Sequence, residues 1–237
     1  MFFLIPSIET KNTKETFFIK NVSIVLPPIM EPLTKILSAS AELFRQYGFK
    51  TITMDDIARR AGISKKTLYQ HFANKSEVVN ESVSWFQCSI SDNCIAIMMQ
   101  AENAIEGMVR VMGMFDQVLA NMNPLGMLEL ERYYPEAFKT FKNNMMAKDI
   151  EAIKKNILWG IDEGLYRDGL NADFMAKYRM EISMLVLHPN LMVNISNDLK
   201  FVMHEVSEHF LYGIMTPKGE KLYQKYKEKY IKQVSTL

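Results

Sequence analysis

Thr53 to Phe72, TMDDIARRAGISKKTLYQHF, predicts two short helices joined by a tight turn. The opening threonine is an N-cap candidate, because its side chain can accept a hydrogen bond from a free backbone N–H of the helix. Gly62 stands where a helix ends through a left-handed residue, and Ser64 caps the second helix. Leu68 and Phe72, four residues apart, face inward, while the other residues of this helix are polar or basic. A helix-turn-helix unit places such a second helix in the DNA major groove.

A longer pattern surrounds these two helices, carried by AELFRQYGFKTITMDDIARRAGISKKTLYQHFANKSEVV, Ala41 to Val79. The pattern begins with an amphipathic helix that ends in Tyr-Gly. It continues, in order, with a second helix that contains Thr-x-x-x-Ile-Ala, a Gly-Ile-Ser turn, the motif Leu-Tyr-x-His-Phe and a lysine. From Leu33 to Val79 the chain therefore resembles the DNA-binding domain of the tetracycline-repressor (TetR) family of bacterial transcription regulators. Because the resemblance extends well beyond a single helix-turn-helix, it is specific.

The second helix supplies most of the candidate DNA contacts. Lysine can bind guanine or phosphate, threonine can touch a thymine methyl group, and glutamine can read adenine. The resemblance further implies phosphate contacts from the threonine and lysine that bracket the motif, and from the tyrosine and histidine inside it. Asp55 stands where some members place a basic, base-contacting residue, so we expect weaker or redirected readout at this position. The predicted DNA-binding residues are Thr53, Lys65, Lys66, Thr67, Tyr69, Gln70, His71 and Lys75.

Positive charge concentrates on this unit. The whole chain carries a formal charge of only +1, whereas Pro32 to Asn80 contains eight basic and four acidic residues, a local charge of +4. Contacts with the phosphate backbone require such an excess. A solvated helical surface has the same composition, and it is the motif that favours DNA.

The remainder of the chain predicts further helices and no strand after Glu102. We predict an all-α protein in which an N-terminal three-helix helix-turn-helix domain (32–80) is joined by a connector helix to a larger helical ligand-binding and dimerisation domain (81–237). The helices outside the motif are expected at Leu33–Gln46, Lys75 to about Met99, Asn103–Met122, Leu125–Tyr134, Glu136–Leu165, Ala172–Leu187, Asp198–Met215 and Lys221–Val234.

Residues 1–31 form an N-terminal extension with two interpretations. Relatives usually begin shortly before their first helix, and Met30 lies at that distance, which favours a start of translation at Met30. Alternatively the extension is genuine, either as a flexible arm or as an added strand, since FFIKNVSIV alternates weakly.

Methionine marks a candidate effector pocket. Fifteen of the eighteen methionines lie between Met98 and Met215, and this flexible side chain suits adaptable apolar pockets. In the family, helices in the middle of the chain surround the effector. The expected wall residues are Met108, Met112, Phe115, Leu128, Trp159 and Met184, and each of them also fits an ordinary core position.

The family resemblance implies a homodimer in which the last two large helices pair with their copies. Ala172–Leu187 and Asp198–Met215 are the interface candidates, and His204 and His209 are candidates for hydrogen bonds across it. The motif HEVSEH does not predict a metal site, because histidines five apart are separated by about 140° on a helix.

No nucleotide-binding, hydrolase or CxxC motif is present, so we expect neither an enzyme nor a cofactor. Cys88 and Cys94 lie six apart and point to different helix faces, which together with the absence of a disulfide framework indicates a cytoplasmic protein. No apolar run is long enough to cross a membrane.

The predicted function is a homodimeric DNA-binding transcription regulator that acts as a repressor. It is expected to bind a double-stranded, pseudo-palindromic operator and to be released by a small, largely apolar effector. The alternative is a DNA-binding dimer controlled by a protein partner, with a filled core and no small-molecule pocket.

Overall fold

The computed structural model describes residues 16–19, 22–25, 31–185 and 198–231, and within these it describes no side chains for the two strands or for residues 144–148. Two strands, β1 (Thr16–Ile19) and β2 (Val22–Val25), form an antiparallel hairpin in which Thr16 pairs with Val25. Every other described element is helical, so the all-α class predicted for the body of the chain is confirmed. The helices are α1 (Pro32–Tyr47), α2 (Met54–Ala61), α3 (Lys65–His71), α4 (Lys75–Gln100), α5 (Ala104–Leu119), α6 (Gly126–Tyr133), α7 (Pro135–Asp162), α8 (Ala172–Leu185), α9 (Leu199–Ile214) and α10 (Pro217–Tyr230).

The caps of the first helices follow the sequence closely. Thr53 and Asp56 form a reciprocal capping box at the start of α2. Gly62 ends that helix with a φ of 67°, a left-handed conformation that costs glycine little. The Ser64 side chain accepts a hydrogen bond from Thr67 N, and Asn74 caps α4 in the same way. These caps set the short turn that fixes α3 relative to α2.

The last helix begins earlier than predicted. The sequence suggested that Pro217 and Gly219 interrupt the chain before a helix at Lys221, but Pro217 occupies the first turn of α10, where a missing N–H costs nothing. Gly219 is required by packing, because a Cβ there would lie 2.2 Å from the carbonyl oxygen of Leu165. The predicted helix ends at Leu187 and Val234, and the proposed start at Met30, lie outside the described residues.

The core of the N-terminal unit extends into the rest of the protein. Its fully buried residues include Ile36, Ile57 and Leu68 from the first three helices, and Leu130 of α6 belongs to the same cluster. The connector α4 runs without a break across residue 80, where the two domains were expected to meet. The helix-turn-helix unit therefore shares a continuous apolar core with α6 and α7.

The larger core lies among α5, α7, α8, α9 and α10. Tyr166 and Tyr223 are its largest fully buried side chains, and the Tyr166 hydroxyl donates to Asn156 Oδ1 at 3.1 Å. None of the described helices has the length and apolar character needed to span a bilayer.

Candidate functional sites: the outer face of α3 and an internal cavity

The outer face of α3 is polar and exposed. At about 100° per residue, Lys66 and Gln70 stand about 160° from Leu68 and Tyr69 about 100°. Leu68 is completely buried, whereas Lys66, Tyr69 and Gln70 are exposed. Within the described ranges these three side chains have no hydrogen bond or ion pair to the protein. His71 is also exposed, at the end of the helix. Burial of Leu68 thus fixes which side of α3 faces outward.

Lys65 is less available for contact with DNA than the sequence suggested. Its Nζ lies 2.5 Å from Oδ2 of Asp55, so an ion pair joins the first turn of α2 to the first turn of α3. The acidic residue that stood out in the sequence therefore neutralises a lysine of the predicted DNA-binding helix.

Two predicted hydroxyl contacts are used in caps. Thr53 Oγ1 lies 2.6 Å from Asp56 Oδ2, and Asp56 N donates to the same hydroxyl at 3.2 Å. Thr67 Oγ1 lies 2.8 Å from Ser64 Oγ. These hydroxyls hold the helix ends, and Thr53 remains exposed at the surface.

Lys75 differs most from the expectation. Its Nζ donates to the carbonyl oxygens of Phe49 and Lys50, and it is only partly exposed. Burial lowers its pKa, against the opposing effect of Glu129. As placed, Lys75 ties the start of α4 to the turn after α1 instead of presenting a free ammonium group to phosphate.

The other basic side chains of the unit are also largely engaged. Arg59 pairs with Asp56, and Arg60 pairs with Glu42 at 2.5 Å. Arg45 Nη1 donates to the carbonyl oxygen of Val118 at 2.9 Å. Much of the positive charge counted in the sequence is therefore already used in contacts within the protein. On α3, Lys66 is the lysine that remains available for contact with DNA.

A cavity of about 230 Å³ lies between the helix-turn-helix unit and the helical body. It is bounded by the end of α1, by α4, α5, α6, α7 and α8, and by Met203 of α9. Seven of its lining residues are methionines, namely Met98, Met108, Met122, Met127, Met180, Met184 and Met203.

The structure separates the predicted wall residues into two groups. Met108, Phe115 and Met184 line the cavity. Met112 is instead buried in the packed core, Trp159 packs against that core, and Leu128 is exposed on α6. Helical periodicity identifies an apolar face but does not show which part of that face borders empty space.

Polar groups interrupt the apolar wall at a few points that the sequence did not single out. Gln87 and Arg179 are 6% and 8% exposed, and both border the cavity together with Asp149 and Cys94. Burial raises the pKa of the Cys94 thiol to about 12, so it is protonated and unreactive. A polar residue within an otherwise apolar helical stretch was the signal available in the sequence.

A hydrogen-bonded junction connects α6 to the turn after α1. Glu129 Oε2 accepts from the backbone N–H groups of Phe49 and Lys50 at 2.7 and 3.0 Å. Close by in the fold, Asn123 N donates to the carbonyl oxygen of Arg45 at 2.7 Å. Because Phe49 also lines the cavity, the cavity wall and the helix-turn-helix unit share this junction.

His204 has a partner within its own chain. Its Nε2 lies 2.6 Å from Oδ1 of Asp116, a 4%-exposed residue of α5. This contact joins α9 to α5 within one chain, whereas His209 is exposed. Hydrogen bonds from the two histidines across a dimer interface stay a prediction. The described residues contain no group of three or more His, Cys, Asp or Glu placed to hold a metal ion.

Large apolar side chains are exposed along α8 and α9. Phe174, Tyr178 and Leu185 on α8 are 63%, 41% and 44% exposed, and Phe201 and Tyr212 on α9 are 49% and 44% exposed. Residues four, seven or eleven apart lie within about 40° on a helix, so each helix carries a single apolar stripe. Such stripes are typical of surfaces that another protein covers.

Comparisons with known proteins assign the N-terminal unit. Residues 36–81 match the family model of bacterial regulatory proteins, tetR family. The transcriptional activator FasR of Mycolicibacterium smegmatis is 48% identical over 44 residues, which is 19% of this chain and 20% of FasR. The transcriptional repressor KstR2 of Mycobacterium tuberculosis is 40% identical over 52 residues, 22% of this chain and 26% of KstR2. The chain thus matches only a fifth to a quarter of the length of these relatives, an activator and a repressor among them.

Solved structures show similarity over most of the fold. The regulator FadR from Bacillus subtilis, in complex with stearoyl-CoA, superposes with a TM-score of 0.57 at 19% identity, covering 77% of this chain and 99% of FadR. At this identity the likeness concerns the fold, which has the same helix-turn-helix unit and helical body.

Proposed function

The chain belongs to the TetR family of bacterial regulatory proteins through residues 36–81, and from this premise we propose that it is a homodimeric repressor whose affinity for a DNA operator is controlled by a ligand in the internal cavity. DNA binding by a transcription regulator is the family's common property. Repression, dimer formation and control by a ligand are the proposal.

The outer face of α3 is the observation that carries DNA binding. Lys66, Tyr69 and Gln70 are exposed on a helix whose opposite side is anchored by Leu68. Lysine and glutamine can contact guanine and adenine in the major groove, and the tyrosine hydroxyl can donate to phosphate. Lys65 and His71 flank this face, and Thr53 lies exposed at the start of α2.

The apolar stripes of α8 and α9 support a dimer. Pairing with a second copy would remove Phe174, Tyr178 and Phe201 from water. A two-fold dimer presents two α3 helices and predicts a pseudo-palindromic operator with half-sites about 34–36 Å apart, or a multiple of that distance.

The cavity favours control of DNA binding by a small molecule rather than by a protein partner. A filled core was the expectation for the second alternative, whereas a space of about 230 Å³ adjoins both the body and the end of α1. A ligand that binds one arrangement of α1, α4 and α6 better than the other would shift the dimer between states with different affinities for DNA.

Selection of binding sites from random double-stranded DNA, followed by fluorescence anisotropy, tests this function. We expect a two-fold related sequence to be enriched. Lys66→Ala and Tyr69→Ala should each lower the affinity at least about tenfold, the effect of losing one good contact. Lys221→Ala, an exposed lysine of α10, is the matched control and should bind like the wild type. Enrichment of no sequence, or equal affinities for all three variants, would contradict the proposal.

A further inference from the structure

Arg179 is a buried cation in the cavity wall. Its Nη1 donates to Ser183 Oγ at 2.5 Å and its Nη2 to Ser207 Oγ at 2.9 Å, while the guanidinium lies 5.5 Å from the centre of the Phe210 ring. These partners are neutral. Within residues 31–185 and 198–231, no carboxylate lies at ion-pair distance from Arg179.

The charge on Arg179 is retained despite burial. Burial lowers its pKa to about 10, which leaves the group protonated near neutral pH. A buried charge that is not paired is costly, and an anion that enters the cavity would compensate it. Guanidinium also has a planar fork of donors that matches a carboxylate, and only two of its five N–H groups are used in the contacts above.

Gln87 gives a second, independent indication that the cavity is built for a polar ligand group. Its Nε2 donates to the carbonyl oxygen of Phe141 at 2.9 Å, a contact that fixes the orientation of the amide. The other amide atom, Oε1, is buried and has no hydrogen-bond partner. This acceptor requires a hydroxyl or N–H donor, which the wall does not provide.

The rest of the wall specifies the apolar part of the ligand. Methionine and phenylalanine side chains, among them Met108, Phe115 and Met184, form most of the surface. The volume of about 230 Å³ is roughly one and a half times that of an engineered cavity that binds benzene, which gives room for about ten non-hydrogen atoms.

We propose that the cavity binds a medium-chain organic acid, with its carboxylate on Arg179, its chain against the methionines, and a hydroxyl group donating to Gln87 Oε1. This inference rests on the proposed function only in making the acid the effector, since binding itself does not require DNA. Arg45, the other arginine in the wall, is a weaker candidate because it is more exposed and lies near Glu42.

The first test compares headgroups on the wild-type protein by isothermal titration calorimetry. Octanoate, methyl octanoate and octylamine share a chain length but differ in charge. We expect octanoate to bind at least about tenfold more tightly than the ester, with the amine weaker still. Equal binding of acid and ester, preference for the amine, or binding of none of the three would overturn the proposal.

The second test removes the anchoring groups. Arg179→Met should abolish the preference for acid over ester, and Arg179→Lys should retain most of it. Arg132→Met, at an exposed arginine of α6 outside the cavity wall, is the matched control and should leave it intact. Loss in Arg45→Met with retention in Arg179→Met would overturn the assignment. Thermal melting monitors folding, and if Arg179→Met does not fold, the headgroup comparison on the wild type decides.

Hydroxylated acids test the role of Gln87. Among the positional isomers of hydroxyoctanoate, at least one should bind several-fold more tightly than octanoate, and Gln87→Met should remove that advantage. If no isomer gains, Gln87 does not recognise the ligand.

Anisotropy with the selected DNA then separates the two proposals. If the protein binds the acid but its DNA affinity does not change, ligand control fails while the ligand class stands. If the protein selects DNA but binds no acid, the ligand class fails while the DNA-binding function stands.

Discussion

Asp55 and Lys65 form an ion pair at the surface, with side chains that are 54% and 63% exposed. Exposed ion pairs contribute little to stability, so the main effect of this one is on the charge that α3 presents to DNA. The Asp55 carboxylate neutralises one of the two lysine charges at the start of the helix, where Lys65 and Lys66 are adjacent in sequence.

Replacing Asp55 with alanine should therefore strengthen DNA binding. The change frees Lys65 for a phosphate and removes a negative charge, so we expect several-fold higher affinity. The slope of log affinity against log salt should steepen by about one unit. Anisotropy titrations over a range of salt concentrations measure both. An unchanged slope would show that Lys65 does not reach phosphate once it is released.

Asp56 makes the stability of the α2 cap depend on pH. Hydrogen bonds from the hydroxyl and the backbone N–H of Thr53 lower the pKa of Asp56 in the folded protein. A folded-state pKa below the unfolded value means that the contribution to stability is present above about pH 4 and is lost as the pH falls through the folded-state pKa.

We therefore expect Asp56→Asn to destabilise the protein at pH 6, with a difference from the wild type that shrinks below about pH 4. Urea denaturation at a series of pH values measures this. Asp92→Asn, an exposed position on α4, is the control and should show no such dependence. A difference that persists unchanged at low pH would mean that the carboxylate charge is not what supports the cap.

At the scale of elements, α6 is the link between the cavity and the helix-turn-helix unit. Glu129 on α6 accepts two backbone N–H groups from the turn after α1, and Lys75 of α4 donates to two carbonyl oxygens of the same turn. Met127 and Leu130 of α6 border the cavity. A displacement of α6 by a ligand would thus pull on the turn between α1 and α2.

Glu129→Ala should remove this link. Leaving the N–H groups of Phe49 and Lys50 without their acceptor should lower the free energy of unfolding by about 1–3 kcal/mol. The variant should also respond less to any ligand that releases the wild type from DNA. Glu131→Ala, exposed on the same helix, is the matched control for chemical denaturation. Equal stability of the two variants would show that the junction contributes nothing measurable.

For the molecule as a whole, the stripes on α8 and α9 are apolar surface that remains exposed in a single chain. Phe174 and Tyr178 of α8 stack with ring centres 6.2 Å apart, and Phe201 and Tyr212 of α9 are also exposed. The hydrophobic effect favours covering such stripes, and a second copy has the same surface to offer.

Phe174→Asp and Phe201→Asp should convert the protein to a monomer, because each places a charge within the proposed interface. Sedimentation equilibrium measures the molecular mass. Affinity for a two-half-site operator should fall with the dimer, whereas the helix content by circular dichroism should stay the same. Leu125→Asp, at an exposed apolar residue outside the two stripes, should remain dimeric. A wild type that sediments as a monomer would exclude this assembly.

The sequence by itself determined the helix-turn-helix unit. Its caps, the left-handed Gly62 and the inward Leu68 depend on residues within a few positions of one another, so local chemistry specifies them. Periodicity also located the later helices, although it placed the start of α10 four residues late, since a proline can either interrupt or begin a helix.

Only the tertiary structure decided which charges and apolar residues are available. The partners of Lys65, Lys75 and His204 come from other elements, and contacts between elements cannot be inferred from spacing along one helix. The lining of the cavity likewise cannot be inferred from spacing. Met108 and Met112 are four residues apart and lie on the same side of α5, but only Met108 borders the cavity. Arg179 and Gln87 gain their significance from burial beside that space, which arises only when seven helices pack around it.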